Sequence, residues 1–68
     1  MDVDGFDRAL RSLGLHGPMG EMRLPNGQFV LIYKMPDGSH KWLPPPSTMT
    51  AEQRDEQIAD LKRHLGIT

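Results

Sequence analysis

The sequence predicts one α+β domain over residues 1–68, in which a three-stranded antiparallel β-meander lies between an N-terminal and a C-terminal helix. Two tight turns predict the meander. Pro25-Asn26-Gly27 and Pro36-Asp37-Gly38 each separate apolar runs, and Asn-Gly or Asp-Gly in that setting is a strong hairpin signal. Apolar residues at helical spacing near both ends predict the helices. The expected order of elements is therefore α-β-β-β-α.

The composition narrows the possible functions. Eight Lys and Arg residues against nine Asp and Glu residues give a net charge of −1, which does not favour a protein that depends on nucleic-acid phosphates. The absence of cysteine excludes disulfides and thiolate-bound metals. The acidic N-terminus, MDVDGFDRAL, does not resemble a secretory signal, and no apolar run reaches the roughly 18 residues of a membrane span. We expect a soluble cytoplasmic protein.

The first helix is predicted at about residues 4–13. Asp2 or Asp4 can cap its N-terminus, and Gly14 can supply the left-handed residue that ends it, so that Leu15 returns toward the helix. Its apolar face comprises Phe6, Leu10 and Leu13.

The second helix is predicted to begin after Thr50, with Gln53 completing a capping box. Gly66 should end it, and Ile67 should then fold back onto the helix. Its apolar face comprises Ile58, Leu61 and Leu65. The run 44–46, three consecutive prolines, stops the preceding strand and predicts a stiff spacer.

Residues 15–20 are predicted as a loop, and the three strands at about residues 21–24, 28–35 and 40–43. The central strand is apolar on both faces, which is typical of a strand with neighbours on both sides. One face carries Phe29, Leu31, Tyr33 and Met35, and the other carries Val30 and Ile32. In the third strand, His40 and Trp42 share one face, and Lys41 and Leu43 share the other.

The sheet surface is the best candidate for a binding site, because two thin helices can cover only one of its faces well. If they cover the Tyr33 face, then Val30, Ile32 and Leu43 point outward; if they cover the other, Phe29 and Tyr33 do. A third alternative is that residues 15–20 and 44–49 cover the second face. Lys34 and Lys41 are expected to share a face with Val30 and Ile32. The predicted binding residues are Val30, Ile32, Tyr33, Lys34, Lys41 and Trp42.

No catalytic or metal-binding constellation is visible. His16, His40 and His64 are scattered over a predicted loop, strand and helix end without ligand spacing, and no glycine-rich phosphate-binding motif occurs. Ser39 and His40 are adjacent, so in a strand they would point to opposite faces. The sequence therefore predicts neither a catalytic residue nor a metal or other cofactor.

One family resemblance accompanies these patterns. The segment IYKMPDGSHKWLP, residues 32–44, is similar to the second strand, turn and third strand of the HicA-type toxin family, and the order of elements agrees as well. The resemblance implies a fold like that of double-stranded-RNA-binding domains, an mRNA-cleaving activity and an antitoxin partner. The family's catalytic histidine lies in Gly-Ser-His-His at the first hairpin turn. Here residues 26–29 stand in that place and match only at Gly27, whereas Gly38-Ser39-His40 lies in the second turn.

We therefore predict a small non-enzymatic regulator or inhibitor that binds another protein through its sheet. Chains of this kind include many encoded by phages and mobile elements. The alternatives are a HicA-like RNA-binding or RNA-cleaving protein, with His40 as the candidate residue, and a homodimer in which two sheets pair.

Overall fold

A computed structural model describes residues 1–66. Helix α1 (Val3–Ser12) is followed by strands β1 (His16–Arg23), β2 (Phe29–Lys34) and β3 (His40–Leu43), a short 3₁₀ turn (Pro46–Thr48) and helix α2 (Ala51–His64). The strands form one antiparallel sheet in the order β1-β2-β3. The predicted α+β class and the α-β-β-β-α order are therefore confirmed. The predicted return of Ile67 lies outside the described residues.

Helix α1 is bounded by local capping interactions, as predicted. The carboxylate of Asp2 accepts a hydrogen bond from the backbone N–H of Gly5 at 2.6 Å. At the other end Gly14 has φ +89°, and the N–H of Leu15 donates to the carbonyl of Leu10 at 3.0 Å. This left-handed glycine turns the chain back so that Leu15 enters the core.

Helix α2 also has the predicted caps. The hydroxyl of Thr50 accepts from the N–H of Gln53 at 3.1 Å, and the side-chain oxygen of Gln53 accepts from the N–H of Thr50 at 2.9 Å. This pair is a complete capping box. Gly66 has φ +75° at the C-terminal end, where it ends the helix.

The two hairpin turns are built alike. In each, a glycine after Pro-Asn or Pro-Asp has a positive φ, +87° for Gly27 and +91° for Gly38. In each, the side chain of Asn26 or Asp37 accepts a hydrogen bond from the backbone N–H two residues later. The first turn is the type I form with a left-handed glycine that Pro25 allows. These turns fix the strand register on both sides of β2.

The first strand is longer than predicted. It begins at His16 rather than at Glu21, so most of the predicted loop 15–20 belongs to β1. Its pairing with β2 is irregular between His16 and Gly20. An edge strand tolerates Pro18 and this irregularity because half of its backbone groups have no strand partner to lose.

Both helices pack on the face of the sheet that carries Tyr33 and Met35. The first of the alternatives for the covered face is therefore correct, with two corrections. Leu43 lies opposite Leu31 and is only 1% exposed, so it belongs to the core and not to the outward set. Lys41 lies opposite Tyr33, so it does not share a face with Lys34. The core consists of Phe6, Leu10, Leu15, Tyr33, Met35, Leu43, Met49, Ile58 and Leu61.

A long-range contact that no local pattern predicts joins the ends of the domain. The guanidinium of Arg54 donates to three backbone carbonyls, those of Met1 at 2.8 Å, Pro46 at 2.7 Å and Met49 at 2.6 Å. The side chain is partly buried, so these bonds are sheltered from water. Arg54 therefore fixes the N-terminus and the 3₁₀ turn to helix α2.

Candidate protein-binding surface

The side of the sheet that faces away from the helices is called the outer face here. Strand register defines its members, because residues directly opposite one another in neighbouring strands share a face. Gly20, Ile32 and Trp42 form its central row, and Met22 lies opposite Val30. The end row is His16, Lys34 and His40.

The outer face exposes apolar surface on a rigid base. The Trp42 side chain is 52% exposed, and Ile32 and Met22 are partly exposed. Val30 is only 8% exposed, although it does not belong to the core cluster on the helix side. Residues 16–20 belong to β1 itself and so do not lie over this face. Residues 44–49 are different, because Pro44, Pro45, Thr48 and Met49 line the same cleft as Val30 and shelter that end of the face.

Gly20 leaves a depression at the β1 side of the outer face. A Cβ atom at this position would meet only the Cδ1 atom of Ile32, at 4.0 Å. Ile32 therefore has open space on its β1 side and Trp42 on its β3 side. An apolar group from a partner could occupy that space.

Charge is distributed unevenly between the sheet and the rest of the chain. The three strands carry Arg23, Lys34 and Lys41 against Glu21 alone, a net charge of +2, so the remaining residues carry −3 of the total of −1. On the outer face Lys34 lies between two histidines. Of the four charged strand residues only Lys34 lies on the outer face, so the basic end of this face rests on Lys34.

Not all predicted binding residues reach the outer face. Tyr33 is 2% exposed and lies in the core, so it supports the sheet from beneath. Burial raises the pKa of its hydroxyl, and the nearby Asp7 carboxylate raises it further. Lys41 is exposed on the helix side of β3. The register places Val30, Ile32, Lys34 and Trp42 on one face, which corrects the prediction that Lys41 rather than Trp42 shares a face with Val30 and Ile32.

The fold brings His16 and His40 into one row with Lys34 between them, whereas His64 lies on α2. Within residues 1–66 no three His, Asp or Glu side chains are placed to hold a metal ion. The hydroxyl of Ser39 donates to Asp37 at 2.6 Å, which makes it a turn residue. The backbone N–H of Ser39 donates to the same carboxylate. Both hydrogen bonds lower the pKa of the Asp37 carboxyl, and the one from the hydroxyl has the larger effect.

A groove that sequence reasoning missed runs along α2, past the start of β2 and then past β3; we call it the edge groove. It consists of two adjoining clefts of about 520 and 260 Å³ that share Pro44 and Gln57. One cleft contains Phe29, Pro45 and Met49 among its lining residues, and the other contains Lys41, Trp42 and His64. No motif marks it, because its walls meet only when α2 docks beside the sheet.

Comparison with protein-family models, curated proteins and solved structures finds no match for this chain. None of the described helices has the length and apolar character needed to cross a membrane.

Proposed function

We propose that the protein is a small non-enzymatic regulator or inhibitor that binds another protein through the outer face of its sheet. One observation carries the proposal: Trp42 is 52% exposed beside Ile32 on the sheet face opposite the two helices. Exposed apolar patches on small soluble domains often mark interaction sites. Tryptophan is also the residue type most enriched among the energetic centres of protein interfaces.

The geometry suggests how a partner would be recognised. An apolar side chain of the partner would enter the depression over Gly20 and contact Ile32 and Trp42. A carboxylate of the partner would lie near Lys34 at the basic end of the outer face. Apolar contact would supply most of the affinity, whereas the basic end would orient the partner and speed association.

Capture from a native lysate tests this proposal. The wild-type protein, Ile32→Glu and Lys62→Glu serve as bait, and bound proteins are identified by mass spectrometry. Lys62 is an exposed residue of α2, so its variant carries the same new charge away from the outer face. We expect one partner that the wild type and Lys62→Glu retain and Ile32→Glu loses.

The control for this experiment is the fold of each bait, checked by circular dichroism. If folded Ile32→Glu captures the same proteins as the wild type, the outer face is not the binding surface. Light scattering over a range of concentrations shows in addition whether a second copy of the chain is the partner.

A second candidate function follows from the order of elements. The HicA resemblance implies two helices packed on one face of a three-stranded sheet, and this chain has that arrangement. His40, the candidate residue, is exposed beside Lys34. An RNA-degradation assay of the wild type and His40→Ala separates this candidate from the first. RNA degradation at background level by both proteins would contradict a ribonuclease function.

A further inference from the structure

We propose that the edge groove accepts an extended segment of a partner protein, which pairs with β3 as a fourth strand. This site shares Trp42 with the outer face but lies at the edge of the sheet, and it does not depend on the function proposed above. Three features of the structure support this site: the free backbone groups of β3, the length and lining of the groove, and the charges in the groove.

The backbone of β3 has hydrogen-bonding groups that β2 does not use. The N–H of Met35 donates to the carbonyl of Ser39 at 2.7 Å, which sets the alternation so that odd-numbered residues of β3 pair with β2. The N–H and C=O groups of His40 and Trp42 therefore point to the other edge. In residues 1–66 no strand pairs with that edge. It offers two donors and two acceptors to an added strand.

Helix α2 forms a wall along this edge. Its groove-lining residues recur at helical spacing and lie on one side of the helix: Gln53, Glu56, Gln57, Asp60, Leu61 and His64. From the first to the last they span about 16 Å at 1.5 Å per residue. At about 3.3 Å per residue, this is the length of roughly five residues of extended chain. The part of a bound segment in the narrower cleft would lie beside β3, whereas the part in the wider cleft would pass the start of β2.

The lining explains why an apolar segment would enter. Phe29, Pro44 and Met49 line the wider cleft, and Phe29 is 45% exposed. Gln57, which lines both clefts, adds an amide group that can bond to the backbone of a bound segment on the side opposite β3. A strand with alternate apolar side chains could thus satisfy both its backbone and its side chains.

The charges at the two ends define the occupant further. Glu56 lines the cleft near Pro44, whereas Lys41 and His64 line the other cleft. Neither Glu56 nor Lys41 forms an ion pair with another described residue. Complementarity therefore favours an apolar segment with a basic residue beside Glu56 and an acidic residue beside Lys41.

A second copy of this chain fits less well. Suppose that β3 of two copies pairs in antiparallel fashion, with His40 of each copy opposite Trp42 of the other. Lys41 would then lie directly opposite Lys41 of the second copy. Like charges directly opposite one another destabilise a strand pair. Nucleic acid is disfavoured by the carboxylates of Glu56 and Asp60 in the groove wall.

Selection from a displayed library of linear heptapeptides tests the proposal, with the wild-type protein as target. The strongest peptide is then measured against two variants at one position, His40→Pro and His40→Ala. Proline removes the free N–H without removing a bond to β2, whereas alanine removes only the imidazole. We expect at least a tenfold loss of affinity for His40→Pro and less than a threefold loss for His40→Ala.

Two further measurements keep the test independent of the stability of His40→Pro. The peptide methylated at alternate backbone nitrogens should lose binding to the unchanged protein. The amides of His40 and Trp42 should become protected from hydrogen exchange when the unmethylated peptide is added. Ile32→Glu should bind the peptide normally, which separates this site from the outer face.

Three outcomes would overturn the proposal: a selection without binders, equal affinity of the methylated and unmethylated peptides, and unprotected His40 and Trp42 amides in the complex. Peptides selected with the reversed order of charges would overturn the assigned chemistry of the occupant.

Discussion

Replacing Arg54 with alanine should lower the free energy of unfolding more than replacing any exposed residue of α2 with alanine. Its guanidinium donates to the carbonyls of Met1, Pro46 and Met49 at 2.6–2.8 Å. A hydrogen bond from a charged group contributes about 1.5–3 kcal/mol when buried. Because Arg54 is only partly buried, about 1 kcal/mol for each bond is the appropriate scale. The expected loss in the free energy of unfolding is therefore about 2–3 kcal/mol.

That loss is large for this chain. Domains have free energies of unfolding of about 0.05–0.15 kcal/mol per residue, or about 3–10 kcal/mol here. For a domain of this size, 1 kcal/mol corresponds to about 4–8 °C in Tm, so Arg54→Ala should lower Tm by about 10–20 °C. Urea denaturation followed by circular dichroism measures the free energy directly.

Two controls separate the geometry of the contact from its charge. Arg54→Lys keeps the charge but cannot reach three acceptors, so it should lose an intermediate amount. Arg63→Ala removes an exposed arginine of the same helix that pairs with Asp60, and should cost about 0–1 kcal/mol. If the free energies of unfolding of Arg54→Ala and Arg63→Ala differ by less than about 0.5 kcal/mol, Arg54 does not anchor the N-terminus and the 3₁₀ turn.

Two further predictions concern the turns. Hydrogen bonds from the hydroxyl and the backbone N–H of Ser39 lower the pKa of Asp37 in the folded state. These bonds should therefore stabilise the fold at pH values above the ordinary aspartate pKa of about 3.9. That stabilisation should be lost as the pH falls through the lower pKa of the folded state. A carboxyl NMR titration should show a depressed value that rises in Ser39→Ala; an unchanged value would contradict the assigned cause. Gly14→Ala should be more destabilising than Gly27→Ala in urea denaturation. Both have a positive φ, which costs about 1–2 kcal/mol for alanine, but only at Gly14 would the new Cβ meet another residue, Pro36, at 3.1 Å. Equal losses would mean that this proline moves aside at little cost.

The parts of the fold that sequence reasoning predicted well depend on neighbours in the chain. The hairpin at Asn26-Gly27 and the capping box of Thr50 with Gln53 each involve groups within four residues, so their chemistry is visible in the sequence. Arg54 could not be recognised in this way. Its acceptors include a carbonyl 53 residues away, and exposed arginines are common on helices.

The errors at the sheet have two different causes. The placement of Lys41 beside Lys34 was avoidable, because a turn that pairs Met35 with Ser39 also pairs Tyr33 with Lys41. The edge groove was not predictable, since it depends on the position of α2 relative to β3. The choice of covered face likewise required the docked helices.

The central claim is that Trp42 and its neighbours on the outer face bind a protein partner. The most direct measurement is the affinity of the captured partner for the wild type, Trp42→Ala and Lys62→Ala by isothermal titration calorimetry. We expect Trp42→Ala to weaken binding by at least about 30-fold, the scale of a 2 kcal/mol interface centre, while Lys62→Ala stays near the wild type. Affinities of wild type and folded Trp42→Ala within twofold of each other would contradict the claim.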